Sequence, residues 1–206
     1  MKFSKFISIF FHPINFPIIG ALIYFLFRPK YIFKPQEYTI MSVILIGTYI
    51  FPIAFLIVLK RYKMINSYHM VSIEERKFPT LLFTAISVLI GNWLFKTKIV
   101  DLLAVLFFGY ALAFIISYIF LYFKQKISLH TAAVGGLIGF LIYYSYYYQI
   151  NLIIILAIFF ILSGFIASSR LRLKAHSARE VFLGFFVGLI NQFILFFIYY
   201  ITLYKI

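Results

Sequence analysis

Seven runs of apolar residues follow one another along the chain, at about 6–27, 38–59, 79–95, 99–123, 129–148, 150–168 and 181–204, with short polar segments between them. A helix needs roughly 20 apolar residues to cross a hydrocarbon layer about 30 Å thick, and each run is near that length. The runs are continuously apolar, whereas the strands of a membrane barrel alternate lipid-facing and lumen-facing residues. Backbone groups inside lipid must also bond to one another, which a helix achieves within a single segment. The pattern predicts an all-α integral membrane protein, a bundle of about six to seven transmembrane helices forming one domain over 1–206. Basic clusters close several spans: Arg28-Pro29-Lys30, Lys60-Arg61-Tyr62-Lys63 and Lys124-Gln125-Lys126. Pro79 is expected to open the third helix, because a proline at the first helical position loses no hydrogen bond. Small residues four apart (Ala132 and Gly136, Gly135 and Gly139, Gly184 and Gly188) predict close backbone contacts for spans five and seven.

Composition agrees with the pattern. Of 206 residues, 65% are hydrophobic and 12% charged, with a mean hydropathy of +1.04. Soluble domains are about half apolar and a quarter charged, so a soluble, disordered or nucleic-acid-binding chain is excluded. The net charge of +14 comes from basic residues lying between the spans, where they meet anionic headgroups. Membrane lipids, not nucleic acid, are the expected partners. The opening 1–17 has lysines ahead of an apolar run, as a signal peptide does. It lacks a small-residue cleavage site, and His12, Pro13 and Pro17 interrupt it, so it is expected to stay as a first helix with an interfacial lead-in. There is no cysteine, which excludes disulfides and thiolate chemistry. The only acids are Glu37, Glu74, Glu75, Asp101 and Glu180. Carboxylate metal sites need several that converge, so no metal and no cofactor are expected.

The polar residues near the ends of the spans carry the candidate chemistry. Two spans separate the segment 60–78 from 124–131, and two more separate that one from 169–180, so all three face one side of the membrane. Arg76, Ser128, His130, Arg170, His176 and Glu180 can then meet in one site. Several cations, two imidazoles and one carboxylate suit a phosphate. Arginine binds phosphate oxygens through a planar fork, and helix N-termini add backbone donors. A neutral imidazole can attack phosphorus while a second protonates the leaving oxygen. A carboxylate can hold the nucleophile's other nitrogen. Glu180 stands at i+4 from His176, on the same helix face. His12 and His69 read as polar tips at the headgroup layer. Tyr143, Tyr144, Tyr146, Tyr147 and Tyr148 are expected to form an aromatic belt at the opposite surface. Asp101 is expected to be hydrated, and Asn191 to bridge helices.

Ser169-Arg170, five residues, His176, three residues and Glu180 resemble the third signature of the phosphatidic acid phosphatase type 2 superfamily, SRxxxxxHxxxD, with Glu in place of Asp. Ser128-Leu129-His130 resembles the second, PSGH, without its proline and glycine. Glu75-Arg76-Lys77-Phe78-Pro79 stands where the first, KxxxxxxRP, belongs, with His69 at the lysine position. The likeness covers about 69–190 and extends to small bacterial members of the superfamily with a similar HPxxxP opening. It implies a metal-independent phosphatase of the bacterial cytoplasmic membrane, acting on a lipid phosphate or an isoprenyl pyrophosphate. In that pattern His176 is the nucleophile that forms a phosphohistidine, Glu180 orients it and His130 protonates the leaving group. Arg170, Arg76, Ser128, Lys77 and Ser169 would hold the phosphate oxygens.

Other readings remain. Ser177-x-x-Glu180 is also a capping box. Arg172, Lys174 and Arg179 are expected to touch headgroups. The departures from the signatures leave room for an inactive relative that binds lipid phosphate or a protein partner. Seven spans leave room for a lipid transporter, although the spans are nearly free of the ionisable groups that transport uses. The site's side carries 13 lysines and arginines against 6 on the other, which predicts a cytoplasmic face for it.

Overall fold

A computed structural model describes residues 2–27, 31–65 and 72–204. His69 lies outside the described residues. The chain forms α1 (Lys2–Phe10), α2 (Phe16–Leu26), α3 (Lys34–Leu45), α4 (Phe51–Arg61), α5 (Ile73–Thr97), α6 (Asp101–Tyr122), α7 (Leu129–Tyr148), α8 (Ile153–Arg172) and α9 (Ala178–Tyr204). Among the described residues there is no strand. Six helical stretches are long and apolar enough to cross a membrane: Lys2–Leu26, Lys34–Arg61, Ile73–Thr97, Asp101–Tyr122, Ile153–Arg172 and Ala178–Leu203. The protein is thus a multi-pass all-α membrane bundle.

Helix α7 is the axis of this bundle. Its 20 residues cover about 30 Å, yet it carries His130, Thr131, three glycines and five tyrosines. It can be this polar because α2, α6, α8 and α9 surround it, and every residue from His130 to Leu141 is buried. The contact of α7 with α9 is built from the spaced glycines. A side chain on Gly184 would strike Ser128, one on Gly188 would strike the backbone of Ala132 and Gly136, and one on Gly135 the backbone of Phe185. The two helices run parallel, so their ends meet: the Ser128 amide donates to the Glu180 carbonyl at 3.0 Å, and Thr131 Oγ1 donates to the Val181 carbonyl at 2.9 Å. Deeper in the bundle, Gln192 Nε2 donates to the Leu106 carbonyl at 3.1 Å. The Tyr143 hydroxyl donates to Gln192 Oε1 at 3.2 Å.

Three expectations change. The first span is broken. Pro13 and Pro17 sit at the starts of a 3-10 turn (Pro13–Asn15) and of α2, and proline tolerates only such starts. The break lets α1 fold against α8 while α2 enters the bundle. The third helix starts at Ile73, so Pro79 lies inside it. Ser72 and Glu75 form a capping box there, with the Glu75 amide donating to Ser72 Oγ at 3.2 Å, and two satisfied donors define a helix start better than a proline does. Tyr143 and Tyr144 are core residues, 2% and 0% exposed; Tyr144 donates to the Tyr24 carbonyl at 3.1 Å. Tyr146 remains outside, 65% exposed.

The rod of α3 and α4 is continuous but passes through a π-helical stretch (Ile46–Ile50). Pro52 follows it and cannot donate to the carbonyl of Thr48, four residues back. A one-turn widening of the helix is the ordinary accommodation. This wide turn borders the internal cavity described next.

Candidate active site

One end of the bundle gathers the first turns of α5, α7 and α9, the last turn of α8, and the α1–α2 break. The His176 Nδ1–H donates to Glu180 Oε2 at 2.7 Å, across the one-turn spacing on the α9 lead-in. The same carboxylate oxygen accepts from the Ser177 amide at 3.3 Å, and the Glu180 amide donates to Ser177 Oγ at 3.3 Å. The capping box and the histidine contact therefore coexist, and the cap is what fixes the carboxylate. With Nδ1 occupied, His176 keeps its lone pair on Nε2, and the side chain lines the cavity. Burial pushes the His176 pKa down, with Arg170 and Arg76 adding to the effect and Glu180 opposing it. Loss of water penalises the charged imidazolium, so His176 is neutral at pH 7.

His130 opens α7. Its Nε2 lies 3.1 Å from the Ser8 carbonyl and 3.4 Å from Ser8 Oγ. A carbonyl only accepts, so Nε2 carries the proton and Nδ1 is left for proton exchange. Ser8 Oγ also accepts from Arg170 Nη1 at 2.5 Å. The Arg170 Nε is buried and makes no hydrogen bond among the described residues. The guanidinium lines the cavity with its Nη1 turned to Ser8. Arg76 comes from the first turns of α5, lines the cavity and stands within electrostatic reach of Glu180.

The cavity has a volume of about 610 Å³. His12, Arg76, His130, Arg170 and His176 line its mouth, and Pro52, Phe83, Phe114 and Ala133 its walls. A charged mouth thus leads into an apolar interior. Among the described residues no group of three or more His, Asp or Glu side chains converges as a metal ion would require.

Three of the residues anticipated for phosphate do not reach the cavity. Lys77 pairs with Glu74, Nζ to Oε1 at 2.8 Å, on the outside of α5. Ser128 is fully buried and caps α7, its Oγ accepting from the Thr131 amide at 3.5 Å. Ser169 is buried in α8. A helix with 3.6 residues per turn cannot aim neighbours such as Arg76 and Lys77, or Ser169 and Arg170, at one point.

Two residues at the site were not anticipated there. Ser8 joins Arg170 to His130, and His12 packs edge-on against His130 with ring centroids 5.3 Å apart. His12 also caps the 3-10 turn, Nδ1 accepting from the Ile14 amide at 3.4 Å. The signal for Ser8 was present: Ser4, Ile7 and Ser8, at i, i+3 and i+4, are the buried face of α1, and the phenylalanines face outwards. No protein-family model, no curated protein and no solved structure matches the chain.

The fork of Arg170 leads to a test. Arg170→Lys keeps the charge but loses the planar geometry. Its apparent affinity for vanadate, a phosphate mimic, is expected to fall about tenfold or more, as for loss of a charge-assisted hydrogen bond. Unchanged vanadate affinity in Arg170→Lys assigns the residue to headgroups instead.

Proposed function

We propose that the protein is a membrane-embedded, metal-independent phosphatase of the phosphatidic acid phosphatase type 2 kind, acting on a lipid phosphate through a phosphohistidine. The observation that carries this reading is the His176–Glu180 hydrogen bond of 2.7 Å at the mouth of a cavity that continues between apolar walls. In this reading the lipid chain enters the walls, and its phosphate meets Arg170 and Arg76. His176 Nε2 forms a bond to phosphorus, and the bond from phosphorus to the lipid oxygen breaks, the electron pair staying on oxygen. His130, anchored through Nε2–H on the Ser8 carbonyl, takes the proton of the singly protonated substrate phosphate on Nδ1 and passes it to that oxygen. A water then loses a proton to His130 Nδ1 and displaces His176 from phosphorus, and His130 hands that proton to the departing phosphate, which restores both histidines. Glu180 stabilises the positive charge that His176 acquires. Arginines and imidazoles supply the charge that a metal supplies elsewhere.

A second reading, a relative that binds lipid phosphate without turning it over, is favoured by one observation. Within the segment 75–77, Lys77 is held outside by Glu74, so the mouth has fewer cations than the full signature provides.

One assay separates the two. Purified protein in detergent, given a lipid phosphate, is expected to release inorganic phosphate in the presence of EDTA and to be inhibited by vanadate or tungstate. Rapid acid-free quenching with labelled substrate is expected to leave a base-stable, acid-labile phosphoprotein. Inhibition by EDTA that added Mg²⁺ reverses overturns the metal-free mechanism. Tight vanadate binding without any turnover supports the second reading.

A further inference from the structure

The charged residues at the cavity mouth stand on α5, α8 and the lead-in to α9, yet the contact that aims Arg170 comes from α1. Arg170 has a long, flexible side chain, and among the described residues no carboxylate pairs with it. Arg76, a like charge, stands within electrostatic reach, and repulsion favours a guanidinium turned away from it. The Arg170 Nε is buried without a hydrogen bond. What holds the group is Ser8 Oγ, which accepts from Nη1 at 2.5 Å. The carbonyl of the same serine lies 3.1 Å from His130 Nε2. One residue of α1 therefore fixes an arginine through its side chain and an imidazole through its backbone.

Ser8 is itself held in place. It shares the buried face of α1 with Ser4 and Ile7, α1 packs on α8, and Phe3 meets Phe165 edge-on with ring centroids 6.3 Å apart. Beyond the helix, Asn15 Nδ2 donates to the Phe10 carbonyl at 2.8 Å, which sets the angle of the break. An arginine loses much rotamer freedom when a ligand orders it. An acceptor already in place removes part of that cost before the ligand arrives. We infer that Ser8 is a positioning residue for the phosphate site: its hydroxyl takes Nη1 of Arg170, turns the rest of the guanidinium to the ligand in register with His130, and makes α1 part of the site. The hydroxyl acts through Arg170 and touches no reacting atom. The inference rests on the lipid-phosphate reading of the mouth.

Vanadate binding to the purified protein in detergent, followed by titration calorimetry, tests this without turnover. Ser8→Ala keeps the backbone carbonyl, and with it the anchor of His130, and removes only the hydroxyl. It is expected to weaken vanadate binding about tenfold, the scale of a lost hydrogen bond to a charged group. In an Arg170→Ala background the same substitution is expected to change the affinity by less than about twofold, because the partner through which it acts is gone. Ser4→Ala is the control. Ser4 lies one turn earlier on the same buried face and outside the cavity lining, and this variant is expected to bind as the wild type does. An unchanged affinity in Ser8→Ala overturns the positioning role and leaves the phosphate site standing. An equal loss in Ser4→Ala does the same, as does the same loss with and without Arg170. A wild-type protein that binds no vanadate overturns both readings.

Discussion

His176→Ala is expected to abolish phosphate release, with a loss on the order of 10⁴-fold or more, as for removal of a nucleophile that acts in a unit with its base. The expectation follows from the geometry at Nε2. Nδ1 is held by Glu180 at 2.7 Å, so the imidazole has one free lone pair, directed from the protein wall into the cavity. Burial keeps it neutral, and the neutral form is the one that attacks in the proposed mechanism. Alanine leaves a gap beside Glu180 but disturbs no helix contact, because Ser177 still caps α9 through its amide and hydroxyl. The melting temperature in detergent should therefore move little. Glu180→Gln is expected to be less severe, since the amide oxygen can still accept from Ser177 while the charge that stabilises the imidazolium is gone. Near-wild-type turnover in His176→Ala would sink the phosphohistidine mechanism, whereas parallel loss of turnover and of melting temperature would recast His176 as structural.

The second large effect belongs to the contact between α7 and α9. Gly188→Ala is expected to lower the melting temperature sharply and reduce any turnover with it. A Cβ there falls on the carbonyl of Ala132 and the amide of Gly136. These are backbone atoms of a helix enclosed on all sides, so no side chain can rotate away. Overpacking in a tight core costs about 1–3 kcal/mol, and a backbone obstacle belongs at the upper end or beyond. The damage also travels to the site, because Ser128 is bonded to Glu180 and separation of the helices pulls that link. Gly164 provides the control: nothing lies within 4 Å of its added Cβ, and Gly164→Ala should melt like the wild type. Equal melting of the two variants would mean that the close glycine contact does not hold the bundle together.

The membrane class, the helical bundle and the glycine contact were legible because each is a local or periodic property. An apolar run of a given length has one stable solution in lipid, and small residues four apart place one notch per turn on a single face. The His176–Glu180 pair was expected on one helix face, but His176 lies in the bend before α9, and the Ser177 cap is what brings the Glu180 carboxylate to it. Arg170, Arg76 and His130 were placed by counting spans, which fixes the end of the bundle but not the direction of a side chain. Hence Arg76 lines the cavity while Lys77 pairs with Glu74: adjacent residues diverge by about 100°, and which of them faces the cavity depends on how α5 is rotated.

Tertiary packing decided what the span pattern could not carry. Ser8 and His12 reach His130 over more than a hundred residues of sequence, through a break that Pro13 and Pro17 announce but do not aim. The burial of Tyr143 and Tyr144 depends on α2 and α9 closing over α7, although tyrosines near a span's end ordinarily mark an interface. The cavity itself exists only between helices, where a π-helical turn, the Tyr110 ring and a cluster of arginines and histidines come together. Hydrophobic periodicity reports which face avoids water or seeks lipid. It says nothing about which buried faces touch, and that choice is made by the shapes of all the helices at once.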